Sequence, residues 1–210
     1  MIPFVQVATP NVNVSGTSGW CLQYVDDAVK APDPHRAGSA QQSWNNAVAN
    51  KTAHPNEEPP NNVWVPVYYT IENGRYAGYG HVAWYYSDGK TTKIYDSEYA
   101  SGKRNKPYGS GAELINYMGW KMTYLGWSEV VDGVRAVKKD AKEEAINVFK
   151  EGKMFFVEAV NVRNIYIVNQ SGTYRRVPNP TVLQAMRKEL GYKTVKMTKA
   201  ELDSMFKEMK

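Results

Sequence analysis

The chain has 210 residues, of which 42% are hydrophobic and 22% charged, in the range of an ordinary globular protein of one or two domains. Its single cysteine excludes an intrachain disulfide and a multi-cysteine zinc cage, and no stretch approaches the roughly 20 apolar residues of a membrane span. The net charge of +5 favours polyanions, but no recognition-helix or zinc pattern supports nucleic acid as a partner.

The N-terminal "MIPFVQVATPNVNVSG" lacks a basic n-region, so no signal peptide is expected. From Gly19 to Lys30, Leu22, Val25, Ala28 and Val29 recur at helical spacing, and the prolines of "APDP" stop the helix. A second short helix is predicted over Gln41 to Asn50, followed by the loop "HPNEEPPNN". Strand signals follow at 63–71, 81–87, 91–99, 122–130 and 133–139, with "SDGK" as a hairpin turn and a short helix at "GAELINYM". Helices followed by a run of antiparallel strands predict an α+β domain over residues 1–138.

Charged, helix-favouring residues at 139–150 predict a connector. Residues 151–210 then read as a small α/β accessory domain. Strands are predicted in "MFFVEAV", "NIYIVN" and "TYRRV", and a helix runs from Asn179 as N-cap, through Pro180, to Gly191 as stop. Its Val182, Leu183, Met186 and Leu190 are core candidates. A last helix opens with a capping box, Thr198 to Glu201.

The lone thiol is the sharpest chemical signal. Cys21 falls in the first turn of a predicted helix, where free N–H groups and the positive dipole end favour a thiolate and an oxyanion. A histidine would complete an acyl-transfer site. His35 and His54 lie in proline-flanked loops that read as exposed and mobile, whereas His81 opens the strand "HVAWYYS". Asp96 and Glu98 of "IYDSEY", on the next strand, share one face, and either could orient the imidazole. A single cysteine is more often a buried small hydrophobe, and Asp96 and Glu98 equally fit exposed hairpin charges.

"GWCLQYV", "GHVAWYY" and "IYDSEY", in this order, resemble the cysteine, histidine-dependent amidohydrolase/peptidase (CHAP) domain of bacteriophage lysins and bacterial wall hydrolases. The likeness covers about residues 15–138 and implies a papain-like fold, with N-terminal helices packed on an antiparallel sheet. It implies Cys21 as nucleophile, His81 as base and Asp96 as orienting acid. Where the family often has Asn, two residues further on, this chain has Glu98, which leaves the division of labour between the two acids open. Trp20, Trp84 and Tyr86 become candidates to line a substrate groove. Asp26, Asp27 and Asp33 lack the calcium-loop pattern, so neither a metal nor another cofactor is expected.

The implied activity is that of an endolysin: hydrolysis of an amide bond in the peptidoglycan of Gram-positive bacteria through an acyl-enzyme. Such a protein would stay in the host cytoplasm until released to the wall. The alternative is a virion-associated tail lysin, or a structural or binding protein carrying such a domain. "IYIVNQSGTYRRVPNPTVLQAMRKELG" resembles short modules at the ends of phage lysins, which makes Tyr174, Arg175 and Arg176 candidate contacts to anionic wall polymer.

Overall fold

The computed structural model describes residues 3–140, 155–159, 164–168, 174–177 and 194–208. The chain divides into two compact units, Phe4–Lys138 and Met1–Pro3 with Lys139–Lys210. Among the described residues the architecture is α+β, with five α-helices and mostly antiparallel sheets.

The first unit begins with β1 (Phe4–Gln6), α1 (Cys21–Val29), a 3-10 turn (Asp33–His35) and α2 (Ala40–Ala49). There follow β2 (Ala53–Pro55), β3 (Val65–Tyr69), β4 (His81–Ser87), β5 (Thr92–Tyr95), α3 (Ser97–Ala100), α4 (Gly111–Met118) and β6 (Tyr124–Ser128). The short strands β7 (Val130–Val131), β8 (Val134–Arg135) and β9 (Val137–Lys139) close it. Five strands form one antiparallel sheet in the order β2-β6-β3-β4-β5. β4 is therefore flanked on both sides, with His81 opposite Tyr69 on β3 and Trp84 opposite Tyr95 on β5.

Helix α1 exists because Leu22, Val25 and Ala28 form an apolar stripe that the sheet can cover, and all three are buried. Trp84 is fully buried, and its indole donates to the Val25 carbonyl at 3.2 Å, locking α1 to β4. Burying side chains of this size stabilises by about 1.5–3 kcal/mol each. The helix ends at Lys30, whose left-handed backbone (φ 56°) returns its N–H to the Asp26 and Asp27 carbonyls. Ser39 caps α2 and Ser110 caps α4, each accepting an N–H of the first turn.

Three expectations need correction. The strand predicted over 91–99 stops at Tyr95, because Asp96 takes up an N-cap role and Ser97–Ala100 turn helical. The strand predicted over 133–139 breaks at Ala136, whose carbonyl accepts the N–H groups of Val7 and Ala8 at 2.8 and 3.1 Å. His54 is not in a mobile loop: it lies on β2, stacked at 3.8 Å on the buried Trp127 and within 3.2 Å of Glu129.

The second unit contains β10 (Phe155–Ala159), β11 (Asn164–Val168), β12 (Tyr174–Arg176), β13 (Thr194–Met197) and α5 (Lys199–Glu208). Its sheet has the order β12-β11-β10-β13, with β10 and β13 parallel. Strand β13 has no counterpart among the predicted elements. The capping box is present: Thr198 N–H donates to Glu201 at 2.6 Å, and Glu201 N–H to the Thr198 hydroxyl at 3.2 Å. Leu202 and Met205 of α5 pack with Val157, Val168, Val195 and Met197. The connector from residue 141 onward and the helix predicted at 179–191 lie outside the described residues.

Candidate active site

Cys21 is the first residue of α1 and is half-buried. The first intrahelical bond runs from Tyr24 N–H to the Trp20 carbonyl at 3.1 Å, so the N–H groups of Cys21, Leu22 and Gln23 lie ahead of the helical ladder. No side chain of the preceding residue caps them. The thiol lies beside the His81 imidazole and the backbone N–H of Val82. Burial alone would push the thiol up; the adjacent His81 imidazolium and the Val82 N–H outweigh that and hold it below its ordinary value.

His81 opens β4 and is 3% exposed. Its position depends on the residue before it. Gly80 has φ 69°, and a Cβ there would stand 2.9 Å from Gln41 N and 3.2 Å from the Tyr69 carbonyl. Only glycine lets the start of α2 close onto this turn, where Gln41 N–H donates to the Tyr79 carbonyl at 2.8 Å. Burial would depress the imidazolium, but the thiolate of Cys21 and the close Asp96 carboxylate push it up to about 10. Both shifts act in the direction of a thiolate–imidazolium pair.

Asp96 completes the line. Its Oδ2 lies 3.3 Å from His81 Nε2, which leaves Nδ1 for the thiol. The contact is an ion pair that is bent away from hydrogen-bond alignment, since Nε2 makes no aligned hydrogen bond. The carboxylate is fully buried and held from three further directions. Oδ1 accepts the N–H groups of Glu98 and Tyr99 at 3.0 and 3.1 Å, and Tyr108 donates its hydroxyl to Oδ2 at 3.2 Å.

Glu98 does not approach the imidazole in this way. It turns to the segment before Cys21, where Oε1 accepts the Ser18 hydroxyl at 2.7 Å and the Gly19 N–H at 2.8 Å. Thus the structure brings Cys21, His81 and Asp96 together and gives Glu98 a different neighbour. Ser18, Gly19 and Tyr108 were not singled out in the sequence. The readable signal was Asp96 as an N-cap ahead of Ser-Glu-Tyr-Ala, which would have placed Glu98 in a helical turn.

The expected groove residues separate. Trp20, next to Cys21, is 62% exposed and free to meet a ligand. Trp84 is core, with no face left for substrate. Tyr86 packs against Trp64 at 5.1 Å and stands five residues along β4 from His81, about 17 Å away at strand rise. Neither lines the triad. The turn before β4 supplies instead the 60% exposed Tyr79 and Tyr76, whose hydroxyl lies 3.7 Å from where a Gly19 Cβ would be.

In the second unit, the Tyr174 hydroxyl bonds Asp203 at 2.9 Å and Lys199 at 3.0 Å, so it is engaged within its own module. Arg176 is exposed, and the Arg175 side chain lies outside the described residues. A polar cleft of about 510 Å³ between α2 and the β7–β8 turn, bordered by His35, Asn46 and Asp132, contains no member of the triad and is separate from this chemistry. Among the described residues no three His, Cys, Asp or Glu side chains gather as a metal site, and no helix is long and apolar enough to cross a membrane. Compared with known proteins, the chain matches no family model, no curated protein and no solved structure.

Proposed function

We propose that this chain is a phage-type peptidoglycan hydrolase, an endolysin whose first unit is a papain-like CHAP domain cleaving an amide bond of the Gram-positive wall. The observation that carries the reading is the Cys21–His81–Asp96 line, with a depressed thiol, a raised imidazolium and a buried, oriented carboxylate. The motif resemblance supplies the substrate class.

In the proposed cycle the Cys21 thiolate attacks the amide carbonyl carbon, and the tetrahedral oxyanion is met by N–H groups at the start of α1. His81 gives its Nδ1 proton to the departing amine as the C–N bond breaks, which leaves a thioester on Cys21 and a neutral imidazole. Water then loses a proton to His81 and attacks the thioester, releasing the acid and regenerating the thiolate. Asp96 keeps the ring in one orientation throughout. The second unit serves as an accessory that holds the enzyme to anionic wall polymer, with Arg176 among its exposed cations.

The test is turbidity loss of purified Gram-positive walls with the full chain, and mass spectrometry of the fragments released. New amine and carboxyl termini in stoichiometric pairs are expected with the wild type and none with Cys21→Ala. Equal lysis by the Cys21→Ala protein overturns the reading.

A further inference from the structure

We propose that Glu98 is a positioning residue that sets the place of the Cys21 sulfur from outside the triad, through the Ser18–Gly19 turn. The inference rests on the reading of Cys21 as nucleophile, and it concerns how that nucleophile is held.

Helix α1 starts abruptly at Cys21. Its N-cap, Trp20, contributes no side-chain hydrogen bond, so nothing on α1 itself fixes the angle at which the first turn enters. Glu98 performs that task from α3. Its Oε1 takes both the Ser18 hydroxyl (2.7 Å) and the Gly19 N–H (2.8 Å), and Oε2 lies 2.9 Å from the same hydroxyl. Gly19 sits in the left-handed region (φ 82°), and Trp20 N–H closes a turn onto the Thr17 carbonyl at 3.0 Å. Lys103 finishes the clamp, with Nζ 2.7 Å from the Ser18 hydroxyl and 3.7 Å from Glu98 Oε2.

The same α3 carries Asp96 as its N-cap, and Asp96 accepts the Glu98 N–H. A four-residue helical turn and its N-cap therefore hold both groups, Asp96 facing the histidine and Glu98 gripping the nucleophile's turn. This arrangement fixes the sulfur relative to the imidazole through two contacts that converge on α3: the short Glu98 hydrogen bonds to Ser18 and Gly19, and the 3.3 Å approach of Asp96 to His81. The acceptor geometry is what the role requires, and a formal charge is not.

The experiment compares Glu98→Ala, Glu98→Gln and Ser18→Ala in the full chain. Two quantities are read: the iodoacetamide alkylation rate of Cys21 against pH, and the lytic rate on walls. Alkylation reports the thiolate–imidazolium pair whatever the natural substrate is, so a protein inert on walls defeats the proposed function while leaving this test intact.

Glu98→Ala is expected to move the alkylation profile up towards an ordinary thiol near about 8.5. Its kcat should fall by about 10- to 100-fold, as for a nucleophile displaced by an ångström. Glu98→Gln keeps an acceptor for both donors and should retain the wild-type profile and a rate within about threefold. Ser18→Ala removes one link and should fall between, which keeps the test decisive if Glu98→Ala does not fold. A wild-type profile and rate in Glu98→Ala, or equal impairment in Glu98→Gln and Glu98→Ala, overturns the proposal.

Discussion

The Tyr108 hydroxyl donates to Asp96 Oδ2 at 3.2 Å, beneath the carboxylate that faces His81, and both residues are fully buried. Burial and the adjacent Asp96 charge raise the Tyr108 phenol far above its usual range, so it remains a donor across the accessible pH scale. Tyr108→Phe keeps the ring, including its contact with Arg104 at 4.1 Å, and removes one donor to a buried carboxylate. The expected cost is about 1.5–3 kcal/mol in urea denaturation. A loss of lytic rate should accompany it. An unchanged denaturation midpoint would show that the hydroxyl contributes nothing.

Cys21 and His81 define a pH window. The thiol is held below its ordinary value and the imidazolium is pushed up to about 10, which widens the pH range over which the two form an ion pair and sets its upper edge at His81. Alkylation of Cys21 should be fast at neutral pH, and His81→Ala should confine it to alkaline solution, because burial then raises the thiol against the Val82 N–H alone. The His81 contribution to stability has a definite sign. Its folded value exceeds the unfolded value of 6.5, so that contribution is complete below 6.5 and is lost as pH rises through about 10. Following the imidazole protons by NMR across pH 6–11 checks the upper edge.

The Asp26 carboxyl is shifted upward, opposite to a carboxylate held in an ion pair. It is 1% exposed, and one oxygen has no hydrogen-bond partner. Burial first, and the neighbouring Asp132 second, push its carboxyl up to about 8, against the opposing pull of Arg36. Asp27, bound to Arg36 at 2.7 Å, adds a smaller upward push. Asp132 is itself committed to the Ser43 hydroxyl and the Ala37 N–H, each at 2.7 Å. The folded protein therefore holds a proton between about pH 4 and 8 that the unfolded chain releases, and stability declines as pH rises across that interval. Asp26→Asn keeps a neutral donor and should flatten that decline; thermal melts at pH 5, 7 and 9 decide it.

Two tryptophans, one exposed and one fully buried, should behave oppositely. Trp20→Ala removes a 62% exposed ring and should leave the melting temperature unchanged while slowing wall lysis. Trp84→Ala opens a cavity in a fully buried position and should cost about 3–5 kcal/mol. A destabilised Trp20→Ala, or a Trp84→Ala of wild-type stability, would reverse these assignments.

That contrast also marks what could be read from the residues alone. The helix at 111–118 and the strand at 81–87 carry strong local signals and occur where expected. Cys21 at a helix start and His81 at a strand start were legible for the same reason: each stands at the edge of a strongly patterned element. Trp84 and Trp20 look alike in sequence, because which ring is covered depends on how α1 crosses β4. Asp96 and Glu98 were assigned to one strand face by period-two alternation, and the capping of α3 overrode it. The clamp on Ser18 and the support from Tyr108 are contacts between distant segments, and no local pattern encodes them.

The four-residue α3 gives the site a weak point that the rest of the sheet does not share. A single helical turn carries little cooperative stability of its own, so its hold on both partners can loosen while the surrounding strands remain paired. On gentle heating, hydrolytic competence should fade some degrees before the global melt and return on cooling.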